Sequence, residues 1–165
     1  QAYGPATPAS FAKWLAVPVG WANELFASRW DQIERVALAG SEAWVVANDA
    51  MFPSEEATGV RLLPYFDPFA VASHPRERLY RGAAADRALA RGQAGNYPVL
   101  LVDGVVDGVW HQRRSGKRID ITVEPLTELT SSQRAALDVE VERVAAILEG
   151  RPHLTIGPIS VGPHA

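Results

Sequence analysis

The sequence contains no cysteine, one methionine and two lysines, Lys13 and Lys117, and each scarcity excludes something. Without thiols there is no disulfide framework and no thiolate metal site. The four histidines, His74, His111, His153 and His164, share no ligand spacing, so neither a metal nor any other cofactor is expected. No apolar run approaches the roughly 20 residues of a membrane-spanning helix, and no basic start followed by an apolar stretch marks a signal peptide. A cytoplasmic protein with no membrane partner is expected. The formal charge is −3, so no global basic field advertises nucleic acid. A glycine-rich phosphate loop and a Ser-His-Asp arrangement are also missing. Asp67, before Pro68, reads as turn chemistry rather than as a catalytic carboxylate.

What is present begins with an uneven charge distribution. Asp31, Glu34, Glu42, Asp49, Glu55 and Glu56 make one acidic stretch. Arg76, Arg78, Arg81, Arg87 and Arg91 form a basic middle, and Arg113, Arg114, Lys117 and Arg118 a tight basic knot. At 165 residues the chain holds one large domain or two small ones. It starts at Gln1, in what reads as the middle of a structural unit. An N-terminal region of the same polypeptide is therefore an expected partner.

The first 50 residues predict a helix-turn-helix with a hairpin. Thr7 is suited to cap a helix, and Pro8 to occupy its first position, where a missing N–H costs nothing. Phe11, Trp14 and Leu15 share one face at helical spacing. Val17 to Gly20 interrupt, and a second helical pattern runs from about Trp21 to Trp30, with Trp21, Leu25 and Phe26 turned inward. The β-prone runs Ile33 to Leu38 and Ala43 to Ala47 follow. Helix, turn, helix and hairpin is the order of a winged helix.

Residues 51 to 59, with Met51, Phe52, Pro53 and acidic neighbours, read as a linker, and 60 to 165 as a second domain. Val60 to Phe66 is β-prone, and Glu77 to Leu89 gives one or two helical turns. Val99 to Val102 and Val105 to Val106 flank Asp103-Gly104, a favoured hairpin turn. Val109 to Arg113 and Arg118 to Val123 flank a second turn at Ser115-Gly116. A helix over 131 to 149 starts at Thr130 or Ser131 and carries an apolar stripe of Leu137, Val141, Val144, Ile147 and Leu148. Leu154 to Val161 offers a last strand. The class is α+β, a winged helix-turn-helix followed by a small β-barrel or curved antiparallel sheet with one long helix.

Three runs carry a family resemblance across nearly the whole chain. They are Ala2-Tyr3-Gly4-Pro5-Ala6-Thr7-Pro8 with Phe11, Ala12 and Trp14; Leu62-Leu63-Pro64-Tyr65-Phe66-Asp67-Pro68; and Pro98 to Gly104 with Gly108, Val109 and Trp110. In this order they resemble the C-terminal half of the bacterial winged-helix family that includes AlkZ-type DNA glycosylases, which unhook interstrand crosslinks and excise bulky alkylated bases. The resemblance implies tandem winged helices followed by a C-terminal β-barrel, with double-stranded DNA, damaged or intact, as partner. It implies a nucleoid-associated place in the cytoplasm. It also places the catalytic Gln-x-Gln or Gln-x-Asp motif in the N-terminal half. Gln1, Gln32, Gln112 and Gln133 lack the second member two residues on, so this chain alone is expected to be inactive.

The basic hairpin is the foremost candidate for DNA contact, with His111, Arg113, Arg114, Lys117 and Arg118 around its turn. Guanidinium forks match phosphate oxygens, and a narrow hairpin fits a groove. The plainer alternative is a solvated turn that keeps an edge strand soluble. Arg76, Arg78 and Arg81 are suited to track a backbone or to pair with nearby acids. In the second helix only Asn23 has base-reading chemistry, with Lys13 and Arg29 as the nearby cations. That is poor equipment for direct readout. Two other classes stay open: a winged-helix transcription-regulator module, and a domain that binds a protein or small ligand instead of DNA.

Overall fold

In a computed structural model the described residues are 3–38, 40–51 and 55–164. Gln1, Ala2 and, in the expected linker, Phe52, Pro53 and Ser54 lie outside them. The chain divides into two compact units, Gln1–Glu55 and Glu56–Ala165.

The first unit starts with α1 (Pro8–Leu15), where Thr7 and Ser10 close a reciprocal capping box and Pro8 sits in the first turn. Ala16 ends the helix in the left-handed region, with φ 56°. α2 (Val19–Ser28) follows without a side-chain cap, then a short 3-10 turn (Trp30–Gln32). β1 (Ile33–Leu38) and β2 (Ser41–Val46) pair antiparallel, Ile33 opposite Val46. Backbone bonds between Ala6 and Trp44 tie the segment before α1 to this hairpin. Aromatic edges join the helices to β2: Phe11 meets Phe26 at 5.5 Å, and Phe26 meets Trp44 at 6.2 Å. Trp21 departs from expectation. It is 46% exposed, and α2 buries Ala22 fully, with Leu25 and Phe26 half-buried. Ala22 takes the buried position on α2, and at 3.6 residues per turn the bulky Trp21 beside it is rotated toward solvent.

The second unit is built on a five-stranded open sheet in the order β3-β4-β5-β6-β7. Its strands are β3 (Val60–Leu63), β4 (Val99–Val102), β5 (Val105–Ser115), β6 (Arg118–Pro125) and β7 (Arg151–Ile156). The two expected strands around Val105 and Val109 are one continuous β5, with a bulge opposite Leu100/Leu101 that absorbs the break in pattern at Asp107-Gly108. The first four strands pair antiparallel. β7 pairs parallel to β6, so the sheet is mixed rather than antiparallel. Parallel neighbours need a crossover, and α6 (Ser131–Ile147) supplies it.

α6 packs on one sheet face through Leu137, Val141 and Val144, against Val60, Leu62, Leu100, Trp110, Ile119 and Ile121. Thr130 and Gln133 form its capping box. Ile147, expected in the stripe, is 65% exposed, and Glu140 is buried in the helix interior instead. The short helices α3 (Pro68–Ala72), α4 (Arg76–Leu79) and α5 (Ala83–Ala88) cover part of the other face, where Leu79, Tyr80 and Ala88 meet Val99, Val106 and Val109. Gly150 follows α6 because a Cβ there would lie 2.4 Å from Ile119 Cδ1; the left-handed turn itself falls on Glu149 (φ 52°).

Candidate nucleic-acid interface

The end of the β5–β6 hairpin lies beside the C-terminal end of α6 and the start of β7, whose Arg151 N–H donates to the Lys117 carbonyl at 2.6 Å. Ser115 pairs with Arg118, so the turn is Gly116-Lys117, one residue later than the sequence pattern suggests. Gly116 has φ +61° and Lys117 does not share the positive sign, which is the backbone of a II′ turn with glycine first. This puts Lys117 at the turn, exposed and without an ionic partner.

The other cations of the knot divide by sheet face. Arg114 lies on the α6 side, opposite Ile119. Its guanidinium donates from Nη1 to the Leu148 carbonyl at 2.8 Å and from Nε to the Gly116 carbonyl at 2.9 Å. A cation on the last carbonyls of α6 complements the helix dipole, so Arg114 braces helix and hairpin together. Arg118 donates to Asp120 at 2.7 Å on the opposite face. Arg113 stands across from Asp120 in the register and forms no hydrogen bond or ion pair. His111 is half-buried and, with Trp110 and Gln112, borders a cleft of about 400 Å³ whose other walls include Leu62, Tyr65 and Ile147.

The basic middle is mainly committed to the backbone. Arg76 donates to the carbonyls of Ala70 and Val71, closing the end of α3, and Arg81 donates to the Arg78 carbonyl. Asp67 caps α3 by accepting from the Phe69 and Ala70 amides, so it serves the turn chemistry read from Asp-Pro. In the first unit Lys13, Asn23 and Arg29 are all exposed, with Glu24 next to Asn23. Among the described residues, no group of three or more His, Asp or Glu is placed to hold a metal, and no helix is long and apolar enough to cross a membrane.

Two ion pairs fasten other elements to the sheet, one half-buried and one with a buried carboxylate. Arg87 grips Glu124 through both oxygens at 2.8 and 3.0 Å, and the Ile159 N–H donates to the same carboxylate. The Arg87 hydrogen bonds, opposed by burial and aided by the Ile159 amide, hold the Glu124 carboxyl below the usual range. Glu140 accepts from Arg143 twice at 2.7 Å and from the Leu62 amide at 2.9 Å. Burial pushes its carboxyl up, but those bonds and the nearby Arg61 outweigh it, and the net direction is down. Sequence reading missed this tether. The only trace was a carboxylate interrupting the apolar stripe at Glu140, a pattern that an ordinary surface residue also produces.

Comparison with known proteins agrees with this architecture. The chain is similar to the interstrand DNA cross-link repair glycosylase of Streptomyces sahachiroi, 30% identical over 114 residues that make up 66% of this chain and 31% of that protein. Its fold is similar to the solved structure of the Streptomyces sahachiroi DNA glycosylase AlkZ, with a TM-score of 0.71 and 27% identity, over 94% of this chain and 43% of that one. The chain thus spans less than half the length of the relatives it matches. The model of the DNA glycosylase AlkZ-like family matches residues 1–147, and the chain belongs to that family.

Proposed function

We propose that this chain is a DNA-positioning portion of a DNA-repair glycosylase. In this reading the first unit is a winged helix used as scaffold, and the second corresponds to the family's C-terminal barrel. The β5–β6 hairpin is the duplex contact. The observation that carries the reading is the state of the hairpin cations. Arg113 and Lys117 are held at one end of an ordered hairpin with no internal partner, and long cations left unpaired at a rigid tip are suited to phosphate. The exposed face of α2 supports scaffold over base reader, since Asn23 beside Glu24 offers little for a groove.

Base release would require water to attack the anomeric carbon as the damaged base leaves. The glutamine motif expected to position that water has no counterpart in this sequence, so the chain would act together with an N-terminal region that carries it. Double-stranded DNA is the partner, in a nucleoid-associated setting.

The test is fluorescence anisotropy on a short labelled duplex across a salt series. Replacing Arg113 and Lys117 together with Ala is expected to lower the slope of log K against log salt by about 1.8, because each phosphate contact contributes about 0.9. An unchanged slope with a folded variant rejects the hairpin as the contact. A strong preference for one duplex sequence would favour the regulator class instead.

A further inference from the structure

The sheet surface facing away from α6 is covered by α3 to α5 only around Val99, Val106 and Val109. Beyond Val109 the strand register fixes what stands on it, with His111, Thr122 and Asp120 half-buried and Arg113 and Arg118 exposed. Ile119, Ile121 and Val123 point to the α6 side, so Arg118, Asp120 and Thr122 stand on the open side. Antiparallel pairing sets Arg113 opposite Asp120. Parallel pairing sets Arg151 beside Arg118, His153 beside Asp120 and Thr155 beside Thr122. In β7 exposure alternates accordingly: Arg151, His153 and Thr155 are exposed, while Pro152, Leu154 and Ile156 are partly buried.

Three arginines on three neighbouring strands therefore share this face, Arg113 across from Asp120 and Arg151 beside Arg118. Asp120 engages Arg118 at 2.7 Å, and neither Arg113 nor Arg151 has an ionic partner. Arg151 beside Arg118 is a like-charge neighbour pair only partly offset by Asp120, and an anion lying over both would stabilise it. With strands ~4.8 Å apart, three of them span about 10 Å. A duplex carries one phosphate charge per ~1.7 Å of axis, so a platform of that width meets more than one phosphate.

We infer that the DNA-backbone contact extends from the hairpin across the open face of β6 and β7, where Arg118 and Arg151, beside the hairpin's Arg113, take phosphates and Thr155 adds a hydroxyl donor. Asp120 sits among these cations and moderates the affinity. The inference rests on the duplex-DNA reading, and the experiment separates the two.

The chain is titrated with a short labelled duplex as wild type, Arg151→Gln, Asp120→Asn and Lys117→Ala. Arg151→Gln is expected to lower the salt slope by about 0.9, which at 0.1 M salt is an affinity loss of about eightfold. Asp120→Asn is expected to tighten binding several-fold, a gain that partial unfolding does not produce. If Lys117→Ala weakens binding while Arg151→Gln and Asp120→Asn leave both slope and affinity unchanged, the face is not a contact and the hairpin reading stands. If the wild-type chain has no salt-dependent affinity for the duplex, both readings fall.

Discussion

Glu140 offers the most direct test of how α6 is fastened to the sheet. Its side chain is 2% exposed, and it holds the Leu62 amide of edge strand β3 while gripping Arg143 with both oxygens. In Glu140→Ala the Arg143 head group, 50% exposed, turns to water and loses little. The Leu62 amide has no such recourse. A stranded buried donor costs about 1–3 kcal/mol, and the space left by the carboxylate adds about 1 kcal/mol. A total of about 2–4 kcal/mol lowers the melting temperature by roughly 8–16 °C for a unit near 100 residues. Thermal unfolding followed by circular dichroism reads this directly. A shift below about 2 °C would refute the reasoning, because it would mean that the amide finds another partner at no cost. The reciprocal variant sharpens the test through pH. With Arg143 present the folded carboxyl sits below its unfolded pKa, so its contribution is in place at neutral pH and fades as pH falls through the folded value. In Arg143→Ala, burial is the largest remaining influence and raises the folded pKa. The deficit of that variant is then greatest at pH 7 and shrinks as pH approaches the carboxyl range.

Other consequences are checked by similar means. Arg114→Ala is expected to cost about 1 kcal/mol in thermal stability through loss of the Leu148 carbonyl contact, with a smaller effect on the salt slope of DNA binding than Lys117→Ala. Arg87→Ala frees Glu124 and releases the segment at Ile159, so limited proteolysis is expected to cut near residues 157–160 faster than in wild type. Glu124 is held low by Arg87, so its contribution to stability is present at neutral pH and lost on acidification below the usual carboxylate range, a loss that Arg87→Ala removes. The 165-residue chain alone is expected to release no base from alkylated DNA, and detectable release would reject the assignment of catalysis to residues outside it.

Local chemistry was readable wherever a structural feature depends on neighbours in sequence. Thr7-Pro8, Thr130 with Gln133, and Asp103-Gly104 each announce a cap or turn, and the structure places them there. Asp103 and Gly104 both have positive φ, as the I′ turn requires. What the sequence did not disclose depends on partners far along the chain. Arg114 and Arg118 look alike within the basic knot, yet one braces the end of α6 and the other pairs with Asp120, because adjacent strand positions four apart across a tight turn fall on opposite faces. Trp21 reads as core from its size, but the buried position on α2 is Ala22. Arg151 and His153 carried no signal at all. Their relevance arises only from the parallel pairing of β7, and a strand's partner is not encoded in its own pattern.

A strand joined to its neighbour through a helix cannot zip up from a turn. β5 and β6 can pair by closing Gly116-Lys117, whereas every β6–β7 partner pair lies 33 residues apart in the chain, across α6. Closing a loop of that length costs more entropy than closing a two-residue turn, so this edge is expected to assemble after the hairpin. Until then Arg118 and Arg113 stand without Arg151, and the cationic platform does not exist. Its amides should exchange with solvent sooner than those of the β5–β6 ladder, since an edge strand opens without disturbing the rest. The recognition surface is in this sense a readout of completed folding: a chain that has not docked its last strand presents a hairpin, and one that has presents a face.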